Sequence, residues 1–382
     1  MVFSQHNVIP EVNMVQDITH VIMAFMHSSA FKVLGATEWP LFSTVEEVRS
    51  RFAPDTAVMI AIGGWGDTEG FSKAAATDTS RKLFAQNVKK MIGATGADGK
   101  VISNCNGFAQ YYGLIDQTGV DIDWEYPGGN GDNYKSIPNF EKAWEINAYP
   151  KLLAEIRNAL GPEKLISAAV PGLKRDMIAF TEANLHRLNE SLDFLNIMTY
   201  DLMNRRDNIT RHHTGVQLSL EGLNSYLSNG IAPWKANLGF AFYVKWFKTD
   251  HNDVEDSVTG ADLDRSGSFS WHDPVPPELI ASYSKAITRG SYDSHGGGHF
   301  FWDEEERIFW TWDTPEAIHR KFSLLVDELE LGGIFAWGLG EDAPDFKHLQ
   351  ALTVALRGGS QFVHHSATHI KHSIAPIQKE EL

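Results

Sequence analysis

The feature that most restricts what this chain can become is a repeating alternation. Short apolar runs are separated by longer stretches of helical periodicity, about eight times over residues 1–357. The runs are 18–26 (ITHVIMAFM), 57–62 (AVMIAI), 120–126, 165–170 (LISAAV), 194–200 (FLNIMTY), 236–243 (ANLGFAFY) and 333–337 (GIFAW), with a stub at 2–4 as the first of the series. Between them the periodicity predicts helices over 44–52 after Ser43, over 71–92, and over 149–160 before Gly161-Pro162. A further helix begins at Thr314-Pro315, a capping residue followed by proline in the first turn. Strand and helix in alternation read as a parallel sheet with crossover helices. Eight such units predict an α/β protein of the (β/α)8 TIM-barrel type.

One interval breaks the rhythm. The stretch from Tyr243 to Gly333 is far too long for a βα loop. It holds Gly/Asp-rich turns at 259–267, a helical stretch around 277–288 and aromatic runs at 299–302 and 308–312. We expect a small α+β module inserted between strands seven and eight. The organisation then reads as a barrel from 1–246 and 331–357, a module from 247–330, and a flexible His/Ser/Lys-rich tail from 358–382.

The chemistry is concentrated in TGVDIDWEYP, residues 118–127. Alternate side chains of a strand share a face. Asp121, Asp123 and Glu125 therefore crowd one face, with Val120, Ile122 and Trp124 on the other. In a barrel the C-terminal ends of the strands form the mouth of the active site. Glu125 stands nearest that mouth, Asp123 one step deeper and Asp121 deeper still. Like charges this close force at least one to keep a proton, and such a stack can tune one carboxyl into a general acid near neutral pH. From the residues alone two other readings stay open: a buried acidic ladder satisfied by its surroundings, and an oxygen-ligand site for Mg²⁺ or Ca²⁺.

Composition removes several classes of function. A formal net charge of -16 is unsuited to binding a phosphate backbone, so no nucleic-acid partner is expected. No apolar run reaches the roughly 18 residues of a membrane span. The single cysteine, Cys105, allows neither an internal disulfide nor a cysteine zinc site. The 16 histidines form no HExxH pattern, and we read His212, His213 and those of the tail as structural or solvated. The 11 Trp and 22 Phe supply core, and also flat faces of the kind a sugar cleft needs.

The segment VDIDWEYP resembles the DxxDxDxE signature of the family 18 glycoside hydrolases, the chitinase family. Four further segments carry the resemblance in the right order. AIGGWGD (61–67) is similar to the family's SxGG strand, with Ala61 in the serine position, and IMTYD (197–201) to its Met-x-Tyr-Asp strand. FAFY (240–243) and GIFAWGLGED (333–342) are similar to the last two barrel strands, with Trp337 as the floor tryptophan. The resemblance spans about residues 1–357, inserted module included.

It implies a retaining hydrolase of β-1,4-linked N-acetylglucosamine polymers that needs no metal or cofactor. The nucleophile would be the substrate's own N-acetyl oxygen, which explains the absence of an attacking carboxylate. By the same resemblance Glu125 is the general acid and base, Asp123 orients the acetamido N–H, and Asp121 shares a proton with Asp123. Tyr200 donates to the acetyl carbonyl, Asp201 lies beside the reacting sugar, and Trp337 is its floor. Met198, Tyr126, Gly64, Trp65 and Tyr243 are further candidates for substrate contact, as are Trp124 and Trp246; core packing is an equal reading for Trp65, Trp124, Tyr126, Tyr243 and Trp246, and the leading one for Met198. The partner is chitin or chitooligosaccharide, and the chain is expected to act as a monomer. The module is expected to wall the cleft with 299–302 and 310–313, favouring action at chain ends. Two alternatives remain: an endo-β-N-acetylglucosaminidase acting on N-glycan cores, and a catalytically impaired chitin-binding lectin.

The chain also departs from the pattern. The signature's first acid, three residues before Asp121, is Thr118 here, while GADG at 96–99 would complete it with Asp98 if 100–119 were removed. We therefore read 100–119 as an extra segment before strand four, such as a retained in-frame intron, against a loop insertion on the bottom of the barrel. The first strand is expected to begin at or before Met1, and no secretory leader is visible in the chain as written. The ending Lys379-Glu380-Glu381-Leu382 resembles the receptor-read address of the endoplasmic reticulum. Family resemblance points to the secretory route, and the compartment is otherwise unassigned.

Overall fold

The computed structural model describes residues 2–3, 8–95, 118–249 and 266–358. Residues 359–382 of the expected tail, Cys105, Asp98, residues 100–117 of the suspected extra segment and most of the 259–267 turn region lie outside the described residues.

Seven parallel strands come first: β1 (Val2–Phe3), β2 (His20–Met26), β3 (Ala57–Gly63), β4 (Thr118–Asp123), β5 (Leu165–Pro171), β6 (Phe194–Met198) and β7 (Ala236–Ala241). An interval then carries β8 (Tyr243–Lys248), β9 (Ser266–Ser270), a helix at Ile280–Arg289, β10 (Ser291–Asp293), β11 (Gly298–Asp303) and β12 (Ile308–Trp312). The chain returns to the barrel as β13 (Gly333–Trp337), which pairs in parallel with β7. The parallel sheet runs β1-β2-β3-β4-β5-β6-β7-β13, and an antiparallel sheet runs β10-β11-β12-β8-β9. This is the (β/α)8 barrel with a small α+β insertion between its last two strands.

The alternation of side chains separates two cores. Val21, Met23, Val58, Ile60, Val120 and Ile122 pack outward under the helices, whereas Ile22, Ala24, Met59, Ala61, Ala169 and Phe335 fill the barrel interior. All seven residues of β3 and of β5 are buried, as expected of strands covered on both faces. Trp124 belongs to the outer core. It stacks on Phe71 at 5.3 Å and meets Tyr149 edge-on at 5.6 Å. This removes it as a sugar platform and leaves the inner face of β4 to Asp121 and Asp123.

Three differences from the sequence reading bear on how the elements are held. The helix expected over 71–92 is two helices, Glu69–Ala75 and Asp78–Ala94. Thr77 between them is extended and accepts from Ser80 N, while Ser80 Oγ accepts from Thr77 N, a reciprocal cap that restarts the helix. The helix expected from 149 begins at Asn139 and runs through Pro150 to Leu160. Pro150 has no N–H to offer the carbonyl of Ile146; Asn184 Nδ2 donates to that oxygen instead, at 3.1 Å. The strand expected over 120–126 spans 118–123. Thr118 and Gly119 pair with Val58 and Met59, and Lys164 Nζ donates to Thr118 Oγ1 at 3.0 Å.

Candidate active site

The C-terminal ends of β3, β4, β6 and β13 deliver Gly63, Asp123, Met198 and Trp337 to one mouth, and Glu125, Tyr200 and Asp201 follow just beyond their strands. The glycine pair after β3 makes this possible. A Cβ on Gly63 (φ +115) would lie 2.1 Å from the Asp123 carbonyl oxygen, so only glycine lets the two strand ends meet. Gly64 N then donates to that same oxygen at 2.9 Å, and the Phe25 ring lies against its Cα. Gly64 thus supports the site from behind and is absent from its lining.

Two cavities meet at Tyr200. The deeper is lined by Asp121, Asp123, Asn196, Tyr200, Phe25 and Trp337, among others. Trp337 stacks on Phe25 at 5.3 Å and 19°, which fixes the plane of the floor. The larger cavity, about 320 Å³, is lined by Trp65, Glu125, Tyr126, Met198, Asp201 and Lys245, with Tyr134, Asp176 and Arg206 further along its wall. Trp65 is 50% exposed there. Ser266–Ser268 of β9 close it from the inserted sheet.

The acids are held differently along the strand. Asp121 Oδ1 accepts from Ser167 Oγ at 2.5 Å and Asn196 Nδ2 at 3.0 Å. Burial raises its carboxyl to about 6, against the opposing effect of those donors. Asp123 is buried, and its Oδ1 has no hydrogen-bond partner among the described residues. Burial, then the charges of Glu125, Asp121 and Asp67, push it well above the usual carboxylate range. Glu125 is half-buried, and burial lifts it to about 8 with help from Asp201 and Asp176, against a hydrogen bond from Tyr126. A carboxyl with such a value is protonated at neutral pH and can act as an acid there.

Asp201 goes the other way. The enclosed site would raise it, but Lys245 Nζ at 2.9 Å, His213 and the Tyr243 hydroxyl at 2.7 Å hold it below the usual value. Among the described residues no group of three or more His, Cys, Asp or Glu is arranged to hold a metal ion.

Of the sequence candidates, the structure brings Asp121, Asp123, Glu125, Tyr126, Met198, Tyr200, Asp201, Trp65 and Trp337 to the cavities. Tyr243 stands behind Asp201 as its donor. Trp246 packs within the inserted sheet's core. The expected wall from 299–302 and 310–313 is corrected: Trp310 and Trp312 are buried in the module's own core, with Trp310 Nε1 bound to Ser282 Oγ, and β9 with Lys245 forms the wall instead. Sequence reasoning missed Phe25, Ser167, Asn196, Asp176, Arg206 and Lys245. Only Lys245 carried a readable signal, since it lies two residues after Tyr243 on the same face of β8.

A parallel barrel thus carries one carboxyl just past its fourth strand, pushed up to about 8, with two deeper carboxyls on the strand itself and an aromatic floor beside them. The chain belongs to the glycosyl hydrolases family 18, which it matches over residues 2–342. It is 24% identical over 296 residues to Endochitinase 1 of Metarhizium robertsii, covering 74% of this chain and 61% of that protein. The chain thus spans about three fifths of the length of that relative. Its fold is shared with the family 18 chitinase of Cycas revoluta, solved in complex with allosamidin (TM-score 0.66, 19% identity, 93% of this chain and 98% of that one). It is shared equally with a chitinase-like agglutinin of Robinia pseudoacacia (TM-score 0.65, 18% identity, 93% and 98%). No described helix is long and apolar enough to cross a membrane.

Proposed function

We propose that the protein is a chitinase that hydrolyses β-1,4-linked N-acetylglucosamine chains with retention of configuration. The observation that carries this reading is the buried, unpartnered Asp123 Oδ1, in a cavity floored by Trp337 and beside a carboxyl held near 8. A buried polar oxygen without a partner is costly and calls for a ligand donor. The acetamido N–H of a sugar lying on Trp337 supplies one.

Glu125 gives its proton to the glycosidic oxygen as that bond to C1 breaks. The acetamido oxygen attacks C1, forming a cyclic oxazolinium ion whose charge Asp123 offsets. Water, deprotonated by Glu125, then opens the ring at C1 from the face the leaving group vacated, so configuration is retained. Tyr200 donates to the acetyl oxygen, and Asp201 helps keep the proton on Glu125. Asp121, tied to Ser167 and Asn196, keeps Asp123 in place from beneath.

The test is hydrolysis of chitotetraose by the purified protein and by Glu125→Gln. The proposal requires wild-type turnover and a loss of roughly a hundredfold or more in the variant. The agglutinin with this fold gives a second reading, a lectin that binds chitin without cutting it. Binding of chitotetraose with no turnover by either form selects that reading. Release of glycans from a glycoprotein in preference to chitotetraose cleavage selects an endo-β-N-acetylglucosaminidase.

A further inference from the structure

Two tripeptides of the form Asn-x-Ser/Thr stand outside the reaction just described: Asn189-Glu190-Ser191 and Asn208-Ile209-Thr210. In neither is the middle residue proline, so each has the pattern that accepts an N-linked glycan. Such a glycan is bulky and hydrated, and the asparagine that carries it has to face solvent in the folded protein. The pattern is the same in both; their places in the fold are not.

Asn189 ends the helix Glu182–Asn189. Its side-chain Oδ1 is buried, and its backbone carbonyl accepts from Lys235 Nζ at 3.1 Å. Ser191, which completes the tripeptide, is 4% exposed. Its N donates to Leu188 O at 3.0 Å, and its carbonyl accepts from Arg157 Nε at 3.0 Å. A sugar on Asn189 would have to draw the carboxamide out of this packing. Asn208 lies instead in the loop between β6 and the helix Val216–Ser228. It is exposed, and Ile209 beside it is 45% exposed. The loop is braced on both sides of it. Before it, Asn204 N donates to Asp207 Oδ2 at 2.8 Å, and Arg175 holds both Asp207 oxygens, at 2.5 and 2.9 Å. After it, Arg211 N donates to Met203 Sδ at 3.1 Å, and Leu202 N donates to His213 O at 2.9 Å. An exposed position on a loop held elsewhere can carry a bulky group without rearrangement of the fold.

We propose that Asn208 is an N-glycosylation site, and that the folded protein carries no glycan on Asn189. The donor is a lipid-diphosphate-linked oligosaccharide, met with its transferase on the secretory route. Asn208 Nδ2 forms a bond to C1 of the reducing-end N-acetylglucosamine. The bond from C1 to the diphosphate oxygen breaks, the lipid diphosphate leaves with the electron pair, and one proton of Nδ2 passes to a base of the transferase. The unfolded chain offers both asparagines, but only a glycan on Asn208 is compatible with the finished fold. Asn208 and Thr210 are absent from the lining of both cavities, so this covalent sugar is separate from any sugar the barrel binds. The site is independent of whether the barrel cuts chitin.

The experiment expresses the full chain behind a secretory leader in a eukaryotic host and collects the secreted protein. Peptide N-glycosidase in heavy-oxygen water turns a glycan-bearing asparagine into a labelled aspartate. Peptide mapping should find the label at position 208 and none at position 189. On a gel, the same enzyme should increase the mobility of wild type and of Asn189→Gln. It should leave Asn208→Gln and Thr210→Ala unmoved. Label at position 189, or at neither position, overturns the inference. So does a mobility shift that survives in Asn208→Gln. Wild-type protein labelled at 208 but inert to chitotetraose would count against the hydrolase reading and leave the glycan site standing.

Discussion

Lys245, on the first strand of the inserted sheet, holds its ammonium 2.9 Å from Asp201 Oδ1, just past the end of a barrel strand. The inserted module therefore tunes the barrel's own carboxyls as well as walling the cleft. Asp201 sits below the ordinary carboxylate value because of that charge, so it takes up a proton only as pH falls well into the acid range. In Lys245→Met the carboxyl protonates at a higher pH. The acid limb of the kcat/KM profile should then move upward, and an unmoved limb would refute the link.

The basic limb belongs to Glu125. Its carboxyl is held at about 8, so the fraction carrying the catalytic proton declines as pH rises through that value. The negative charge of Asp201 contributes to the elevation. Asp201→Asn removes that charge, lowers the Glu125 value and should move the basic limb to lower pH. A pH profile of kcat/KM on an aryl chitobioside reads this directly, and a shift to higher pH contradicts the assignment.

Gly63→Ala is expected to be among the most damaging small substitutions in the molecule. The added methyl would meet the Asp123 carbonyl oxygen at 2.1 Å and the Phe71 ring at 2.7 Å, at a backbone φ of +115. Strand ends of the barrel cannot separate without loss of their ladder, so overlap and backbone strain add. Urea unfolding should show a loss of about 3 kcal/mol or more. A loss below about 1 kcal/mol would show that the close approach is relaxed at little cost.

Asn184 and Pro150 should be coupled although they lie in different helices. Asn184 is buried and donates to the carbonyls of Ile146 and Ala179, both at 3.1 Å. Asn184→Ala should cost about 1–2 kcal/mol, because the Ile146 oxygen then loses a donor that Pro150 cannot replace. On a Pro150→Ala background the helix supplies its own N–H, and the same substitution should cost measurably less. A double-mutant cycle by urea unfolding with no coupling would separate the two effects.

The strands were legible because each is buried on both faces and had to be written as an apolar run. Their internal parity was legible too: Asp121 and Asp123 share a face because a strand repeats every two residues. Helix boundaries were less so. The break at Thr77 lies inside an unbroken amphipathic pattern and depends on a two-residue reciprocal cap. The passage through Pro150 depends on Asn184, a residue supplied by another helix.

The candidate site divides along the same line. Glu125, Asp123, Tyr200 and Trp337 stand at strand ends, and strand order alone carries strand ends to one mouth of a barrel. Phe25 under Trp337, Asn196 and Ser167 on Asp121, Lys245 on Asp201, and Arg206 on Asp176 join segments far apart in the chain. Periodicity orients a side chain within its own element; it cannot say which other element will face it. The sequence by itself determined the barrel and the row of acids. Only the tertiary structure decided in which direction each carboxyl of the site is pushed from its ordinary value, Asp121, Asp123 and Glu125 up and Asp201 down, because that depends on charges and burial contributed through space by other strands and by the inserted sheet.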